Sequence, residues 1–265
     1  MTRPVRLAVN GASGRMGCSI LQLLENDARF DLVHAVVAPG SRHDGEPVFV
    51  NSGHSLRYSH DWKNAPTLDV VIDFSKPAAL AGALDHCMAN GVALVSGTTG
   101  IDSALEARLV EAGNSLAILR AANFSLGVAL LTRLLSDAAA ALPTWDLEIV
   151  EAHHGRKLDA PSGTALALGR SAAFARGTTL EASAVGTNGK RTGARVDGSI
   201  GFAVVRGGDI VGEHVAMLIG QGERLELVHR ATDRSIFARG ALQAAQWLVG
   251  RPTGQWHLED VVTTA

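Results

Sequence analysis

The sequence predicts an α/β protein in two parts: a doubly wound parallel sheet first, then a smaller α+β part built on a mixed, open sheet. Three observations carry this. Short β-branched runs alternate with helical stretches of about 10–15 residues through the first half of the chain. A glycine-rich turn follows the first of those runs directly. After Asn123 the alternation stops.

Taken in order, Arg6–Asn10 (RLAVN) is a strand, and a helical pattern runs from Arg15 to about Asn26. Asp31–Val37 and Leu68–Phe74 are further strands, separated by a less regular segment with scattered Gly, Pro and His. Helix Ala78–Asn90, strand Val92–Ser96, helix Ser103–Ala112 and strand Leu116–Leu119 continue the rhythm of right-handed βαβ units. A long helix, Gly127–Ala141, then leads through Pro143 into a strand at Asp146–Glu151. A helix near Thr164–Ala175 and three β-like runs, Ile200–Arg206, Ile210–Leu218 and Arg224–Ala231, complete the second part. Helix Ser235–Leu248 closes the chain. Boundaries fall near 124–127 and 232–235, so residues 1–125, completed by 235–265, form one domain and 126–234 the other.

With 265 residues, 46% of them hydrophobic, the chain is long enough to bury a core. A formal net charge of −2 argues against a nucleic-acid partner, which demands a basic face. The N-terminus MTRPVRLAVNGAS has no apolar run of signal-peptide length, and no segment reaches the roughly 18–20 uninterrupted apolar residues of a membrane span. Cys18 and Cys87 make neither a disulfide framework nor a zinc ribbon. The expectation is a cytoplasmic protein with no membrane partner.

GASGRMG, Gly11 to Gly17, sits between the first strand and its helix. There Gly11 permits the tight exit from the strand, Gly14 lets backbone approach a pyrophosphate, and Gly17 allows the helix to pack closely. The helix N-terminus offers N–H groups and partial positive charge to phosphates. The G-x-x-G-x-x-G spacing is less specific than G-x-G-x-x-G, but its place in the chain is the one dinucleotide binding requires. The acid expected at the end of the second strand, to bind ribose, is missing; Val37-Ala38-Pro39-Gly40 stands there, followed by Ser41 and Arg42. That leaves NAD and NADP both open, with Arg15 or Arg42 able to pair with a 2′-phosphate. GTTG (Gly97–Gly100) and AANFS (Ala121–Ser125) also follow strands, and the carboxyl ends of strands line the crevice of such a sheet.

The densest chemistry lies in EAHHGRKLDAPSGTAL, residues 151–166. Ser162 or Thr164 is the N-cap of the following helix, with Pro161 just ahead. Its backbone N–H groups make an anion site, Lys157 adds a full charge, and a carboxylate fits both. An imidazole such as His153 exchanges protons near neutral pH, and Glu151 or a bound anion would offset its charge. Competing readings are a surface loop, a structural ion-pair network of Glu151, Arg156 and Asp159, and a zinc site. The last lacks both H-E-x-x-H spacing and a cysteine ligand.

That segment resembles the signature of the 4-hydroxy-tetrahydrodipicolinate reductase (dihydrodipicolinate reductase) family. The likeness extends to GASGRMG, DFSKP (Asp73–Pro77), GTTG, AANFS, GSIGF (Gly198–Phe202) and RGGDIVGEH (Arg206–His214), in the family's order. The resemblance implies an NADPH- or NADH-dependent reduction of a cyclic hydroxy-imine dicarboxylate, with loss of water, in lysine and diaminopimelate biosynthesis. It implies that His153 is proton donor or acceptor and Lys157 a second proton donor. His154, Ser162, Gly163 and Thr164 would bind substrate. Cofactor contacts would fall on Gly11, Ala12, Ser13, Gly14, Arg15 and Met16, on Gly97, Thr98 and Thr99, and on Ala121, Ala122, Asn123 and Phe124. It also implies a homotetramer joined through the sheet of the second domain, with no metal.

Two other functions compete. A nucleotide-sensing regulator would need the glycine turn but not His153, Lys157 and the carboxylate cradle together. The second is another NAD(P)-dependent enzyme of amino-acid metabolism, such as an aspartate dehydrogenase or a semialdehyde dehydrogenase; the latter needs a nucleophilic cysteine at the crevice, and both cysteines fall inside helical stretches.

Overall fold

The computed structural model describes residues 3–49, 55–185 and 194–263, which fall into two compact units, residues 1–126 with 235–265, and residues 127–234. The first unit is a seven-stranded sheet in which every pairing is parallel. Its strands are β1 (Val5–Asn10), β2 (Phe30–Val36), β3 (Tyr58–Ser59), β4 (Val70–Asp73), β5 (Ala93–Ser96), β6 (Ala117–Arg120) and β12 (Gly254–Trp256). They lie in the order β12-β6-β5-β4-β1-β2-β3. The chain leaves β1 toward β2 and β3, then returns to β4 on β1's other side, so the order reverses at β1 and β4, where such sheets bind ligands.

Helices α1 (Arg15–Leu24), α2 (Pro77–Asn90), α3 (Ser103–Ala112), α7 (Ser235–Leu248) and α8 (Leu258–Val261) complete the unit. All four residues of β4 are buried, as a central strand covered on both faces must be. Packed around it, Leu80, Leu84, Leu94, Leu109 and Ile118 are fully buried, each contributing about 1.5–3 kcal/mol. Helix α3 starts where the Asp102 side chain accepts from Leu105 N, and α2 stops at Gly91, whose φ of 65° is left-handed.

The second unit holds a five-stranded mixed sheet in the order β11-β10-β7-β9-β8. Its strands are β7 (Asp146–His153), β8 (Ala184–Val185), β9 (Ile200–Arg206), β10 (Gly212–Ile219) and β11 (Arg224–Ala231). β10 is antiparallel to both β7 and β11, while β9 runs parallel to β7 and β8. Helices α4 (Leu126–Ala141), α5 (Gly163–Ala175) and the short α6 (Leu180–Ser183) belong with it. Burial alternates along β7: Leu147 and Ile149 enter a core with Leu131, Leu135, Leu168, Ala172 and Leu218. The same row continues through Glu151 to His153, so one face of the strand is apolar at its start and ionisable at its end.

Several boundaries differ from the sequence expectation. α1 ends at Leu24, short of Asn26, and β10 begins at Gly212, because the Ile210 carbonyl accepts from His154 N instead. β6 runs Ala117–Arg120, one residue later than expected. The irregular stretch before Leu68 contains β3, and the C-terminal segment contains β12 and α8, none of which the sequence announces. Strands of two or three residues have no period to read; β3 and β12 exist by pairing with β2 and β6. Among the described residues no helix is long and apolar enough to cross a membrane.

Candidate active site

In the second unit the register of the sheet assembles the cluster. Glu151 pairs with His214 across β10, and His153 pairs with Arg206 on β9. Glu151 is fully buried and accepts from every side. Its two oxygens take Nη1 and Nη2 of Arg206, both at 2.7 Å, the Nδ1 of His153 at 2.6 Å and the Ser162 backbone N–H at 3.0 Å. Burial pushes the Glu151 carboxyl up, but the hydrogen bonds from Arg206, His153 and Ser162 outweigh it and hold it below the usual carboxylate range. An ionised carboxylate only accepts, so His153 donates from Nδ1 and Nε2 is left as its working atom. Gly212 makes room for the ring: a Cβ there would sit 3.0 Å from Nε2 of His153.

Of the two candidates, Ser162 is the N-cap of α5; its Oγ accepts from Ala165 N at 3.1 Å, and Thr164 lies inside the helix. The same Oγ lies 3.1 Å from Nε2 of His214. Burial and the neighbouring His153 push His214 down to about 4, so it is neutral at pH 7. Lys157 donates to Asp159 Oδ2 at 2.8 Å. The Lys157 ammonium, aided by the backbone N–H groups of Asp159 and Gly163, holds the Asp159 carboxyl below its ordinary range. His154 is pushed down by burial and by the positive charges of Arg234, Arg156, His153 and Lys157. An imidazole, a lysine and a helix N-terminus, with the positive charge of Arg156 and Arg234 nearby, thus make a site built for an anion that exchanges protons.

The structure brings His153, His154, Lys157, Ser162, Gly163 and Thr164 to one end of the mixed sheet. Sequence reasoning quotes Arg206 and His214 without assigning them a place, and passes over Arg234. Parity along β9 and β10 is the signal that could have found the first two: an ionisable residue ends an otherwise apolar row on each strand.

In the first unit the glycine turn closes on itself. Gly11 has φ 77°, and a Cβ there would lie 2.4 Å from the Phe74 carbonyl oxygen. At Gly17 the added Cβ would strike the carbonyl oxygens of Gly11 and Ala12, at 2.3 and 2.6 Å. Gly17 therefore answers to the turn's own backbone, where the sequence suggests packing on the sheet. Gly14 is exposed, and its nearest clash would be Gly11 O at 3.1 Å. It caps α1 with no side-chain acceptor, so the first-turn N–H groups of Arg15 and Met16 face outward without a cap. A pyrophosphate fits that cradle.

The other turns are tighter than their sequences suggest. Gly97 is set by Phe74, whose Cε1 would meet its Cβ at 2.2 Å. Phe74 packs edge-on to Phe124 at 5.1 Å, and Phe124 is buried, as is Ala12, so those two offer a ligand backbone only. The hydroxyl of Thr98 is committed inside the protein, to Asp73 Oδ2 and Ser75 N. Thr98, Thr99, Ala121 and Ala122 line a cavity of about 530 Å³, together with Arg120 and Trp256. Asn123 Oδ1 accepts from Ser125 N and shapes the turn after β6. Ala38, Arg15, Arg42 and Lys76 are exposed.

A doubly wound sheet with a phosphate cradle at its point of reversal, in one chain with an anion site that holds a carboxylate-tethered imidazole, defines a dinucleotide-dependent oxidoreductase. Two family models divide the chain: Dihydrodipicolinate reductase, N-terminus, matches residues 5–124 and Dihydrodipicolinate reductase, C-terminus, matches 127–262. The chain belongs to the dihydrodipicolinate reductase family. It is 46% identical over 264 residues to the 4-hydroxy-tetrahydrodipicolinate reductase of Xanthomonas campestris pv. campestris (strain B100), covering 98% of this chain and 99% of the relative. The enzyme of that name from Caulobacter vibrioides is 45% identical over 266 residues, covering 99% and 98%. The structure of a dipicolinate-bound dihydrodipicolinate reductase from Paenisporosarcina sp. TG-14 superposes with a TM-score of 0.80 at 25% identity, covering 97% of this chain and 99% of that one.

Proposed function

We infer that this protein reduces 4-hydroxy-tetrahydrodipicolinate to tetrahydrodipicolinate, with loss of water, in lysine and diaminopimelate biosynthesis. The observation that carries this is the buried Glu151 fixing the His153 ring beside Lys157 and the N-terminus of α5. When bound, a nicotinamide dinucleotide supplies the hydride. Gly11, Ala12, Ser13, Gly14, Arg15 and Met16 hold its phosphates, and the turns Gly97–Thr99 and Ala121–Phe124 hold the rest.

In this reading His153 Nε2 exchanges a proton with the substrate while Glu151 and Arg206 keep the ring in place. Lys157 is the second proton donor. Its ammonium moves from Asp159 toward substrate, because both carboxylates compete for the same charge. Ser162, Gly163 and Thr164 receive one carboxylate at the helix N-terminus, and His154 touches the substrate. Support for a small planar dicarboxylate comes from the dipicolinate held by the Paenisporosarcina relative. With no acid at Val37-Ala38 and Arg15, Arg42 and Lys76 exposed in that unit, both NADPH and NADH serve. Exposed apolar residues on β9 and β11, Val204, Val205, Leu225 and Val228, support assembly into a homotetramer through this sheet. The cytoplasm is the compartment that suits such a biosynthetic enzyme.

The test is oxidation of NADPH and of NADH with freshly generated 4-hydroxy-tetrahydrodipicolinate. Turnover is expected with both, and His153→Ala or Lys157→Ala lowers kcat at least about 100-fold. Unchanged kcat in both variants would overturn these roles.

A further inference from the structure

Strands β1, β4 and β5 end side by side, and a single carboxylate ties the three ends together. Asp73 is the last residue of β4, and the register sets it between Asn10, the last of β1, and Ser96, the last of β5. It is fully buried. Oδ1 accepts from Asn10 Nδ2 at 2.7 Å and Ser75 Oγ at 2.5 Å, and Oδ2 from Ser96 Oγ at 2.8 Å and Thr98 Oγ1 at 2.7 Å. All four donors are neutral side chains. A carboxylate out of water and without a counter-charge persists only where its lone pairs are filled, and here each oxygen has two partners.

The donors are not scattered through the sheet. Asn10 directly precedes Gly11 of the glycine turn, Ser75 lies in the turn after β4, and Thr98 is in the GTTG turn. A second set of bonds locks them to one another. Ser75 N donates to Thr98 Oγ1 at 3.0 Å, and Asn10 Nδ2 also reaches Ser75 Oγ at 3.1 Å and the Ala79 carbonyl at 3.2 Å.

We propose that Asp73 is the positioning residue of the nucleotide site: its carboxylate sets the three turns at the carboxyl edge of the sheet in the one arrangement that receives the dinucleotide. This rests on the reading of those turns as nucleotide-binding. The position demands an acid. An amide there keeps its oxygen on Asn10 Nδ2 and Ser75 only by turning its N–H groups onto Ser96 Oγ and Thr98 Oγ1, which already accept from Thr98 N and Ser75 N and whose own protons then lose their acceptor.

The experiment uses the full chain and reads nucleotide and dicarboxylate separately. Calorimetric titration with NADPH and NADH, followed by steady-state kinetics, compares wild type with Asp73→Asn and Ser96→Ala. Asp73→Asn is expected to raise nucleotide Kd and KM at least about 10-fold. Its kcat at saturating nucleotide stays within threefold and the substrate KM within twofold. Ser96→Ala, which removes one of the four donors, raises nucleotide Kd about threefold. A folded Asp73→Asn protein that binds nucleotide within twofold of wild type overturns the proposal. So does a loss of kcat and melting temperature with both KM values unchanged, which marks a scaffold role. Should Asp73→Asn not fold, an unchanged Kd in Ser96→Ala overturns it. Wild-type protein that binds neither nucleotide refutes the reading of the turns themselves.

Discussion

His214 stands edge-on to His153, with ring centroids 5.3 Å apart and planes at 76°. The two rings differ in partners: His153 has a carboxylate on Nδ1, whereas His214 faces the Ser162 hydroxyl and the neighbouring imidazole. Burial and that imidazole hold His214 neutral down to about pH 4.

This gives His214 a pH signature in stability. Between pH 6.5, where an unfolded histidine titrates, and about 4, the unfolded chain takes up a proton that the folded protein refuses. Stability therefore falls as pH falls through that window, by about 3 kcal/mol from this residue alone. Above pH 6.5 it contributes no slope. Denaturant unfolding measured from pH 7 to 4 checks this: His214→Gln, which keeps a donor for Ser162, should lack that share. Parallel curves for both proteins would refute it.

Replacing Glu151 with Gln leaves the half-buried Arg206 guanidinium with half its partner and frees the His153 ring. Losing charged hydrogen bonds of this kind costs about 1.5–3 kcal/mol. Turnover should fall about 100-fold or more as the tautomer is lost. Because the folded pKa of Glu151 is depressed, its stabilisation is present above the ordinary carboxylate range and lost as pH falls through the lower folded value. Chemical unfolding and kcat, measured on one preparation, read both effects.

Gly14 and Gly17 should separate binding from folding. Gly17→Ala drives a methyl into two backbone carbonyls and should cost about 3 kcal/mol. Gly14→Ala meets one carbonyl at 3.1 Å and should cost about 1 kcal/mol or less, yet weaken nucleotide binding about tenfold by obstructing the cradle. Melting curves and calorimetry on the two variants decide this, and an equal loss of stability in both would contradict it.

Ala38→Asp adds the ribose-binding acid that this chain lacks. The new charge repels a 2′-phosphate, so KM for NADPH should rise about tenfold more than KM for NADH. Equal changes would mean that residue 38 lies away from the ribose.

Much of this molecule is legible because its signals are local. The strand–turn–helix at Arg6–Asn26 and the crowding of titratable residues at 151–166 each fit in one stretch of sequence, and the helix N-cap narrows there to Ser162 or Thr164. The rest is long-range. Arg206 and His214 join Glu151 only through the pairing of β9 and β10 with β7, which no periodicity states. Asp73 sits at the end of the apolar run VVID, and nothing nearby reveals that three of its four donors come from two other strand ends. Gly97 reads as a place for a ligand, whereas Phe74 fills the space beside it.

The helix Ser235–Leu248 packs on β4, β5, β6 and α1, and β12 borders β6, yet both follow the whole of 127–234 in the chain. On the ribosome, the opening half of the parallel layer must therefore wait while roughly 100 intervening residues are translated, about 5–20 s. During that delay its late-covered flank is bare, whereas the inserted unit is whole as the delay ends and can fold at once. Newly made protein is in this respect finished from the middle outward, and nascent-chain proteolysis should find the later-encoded unit protected before the earlier one.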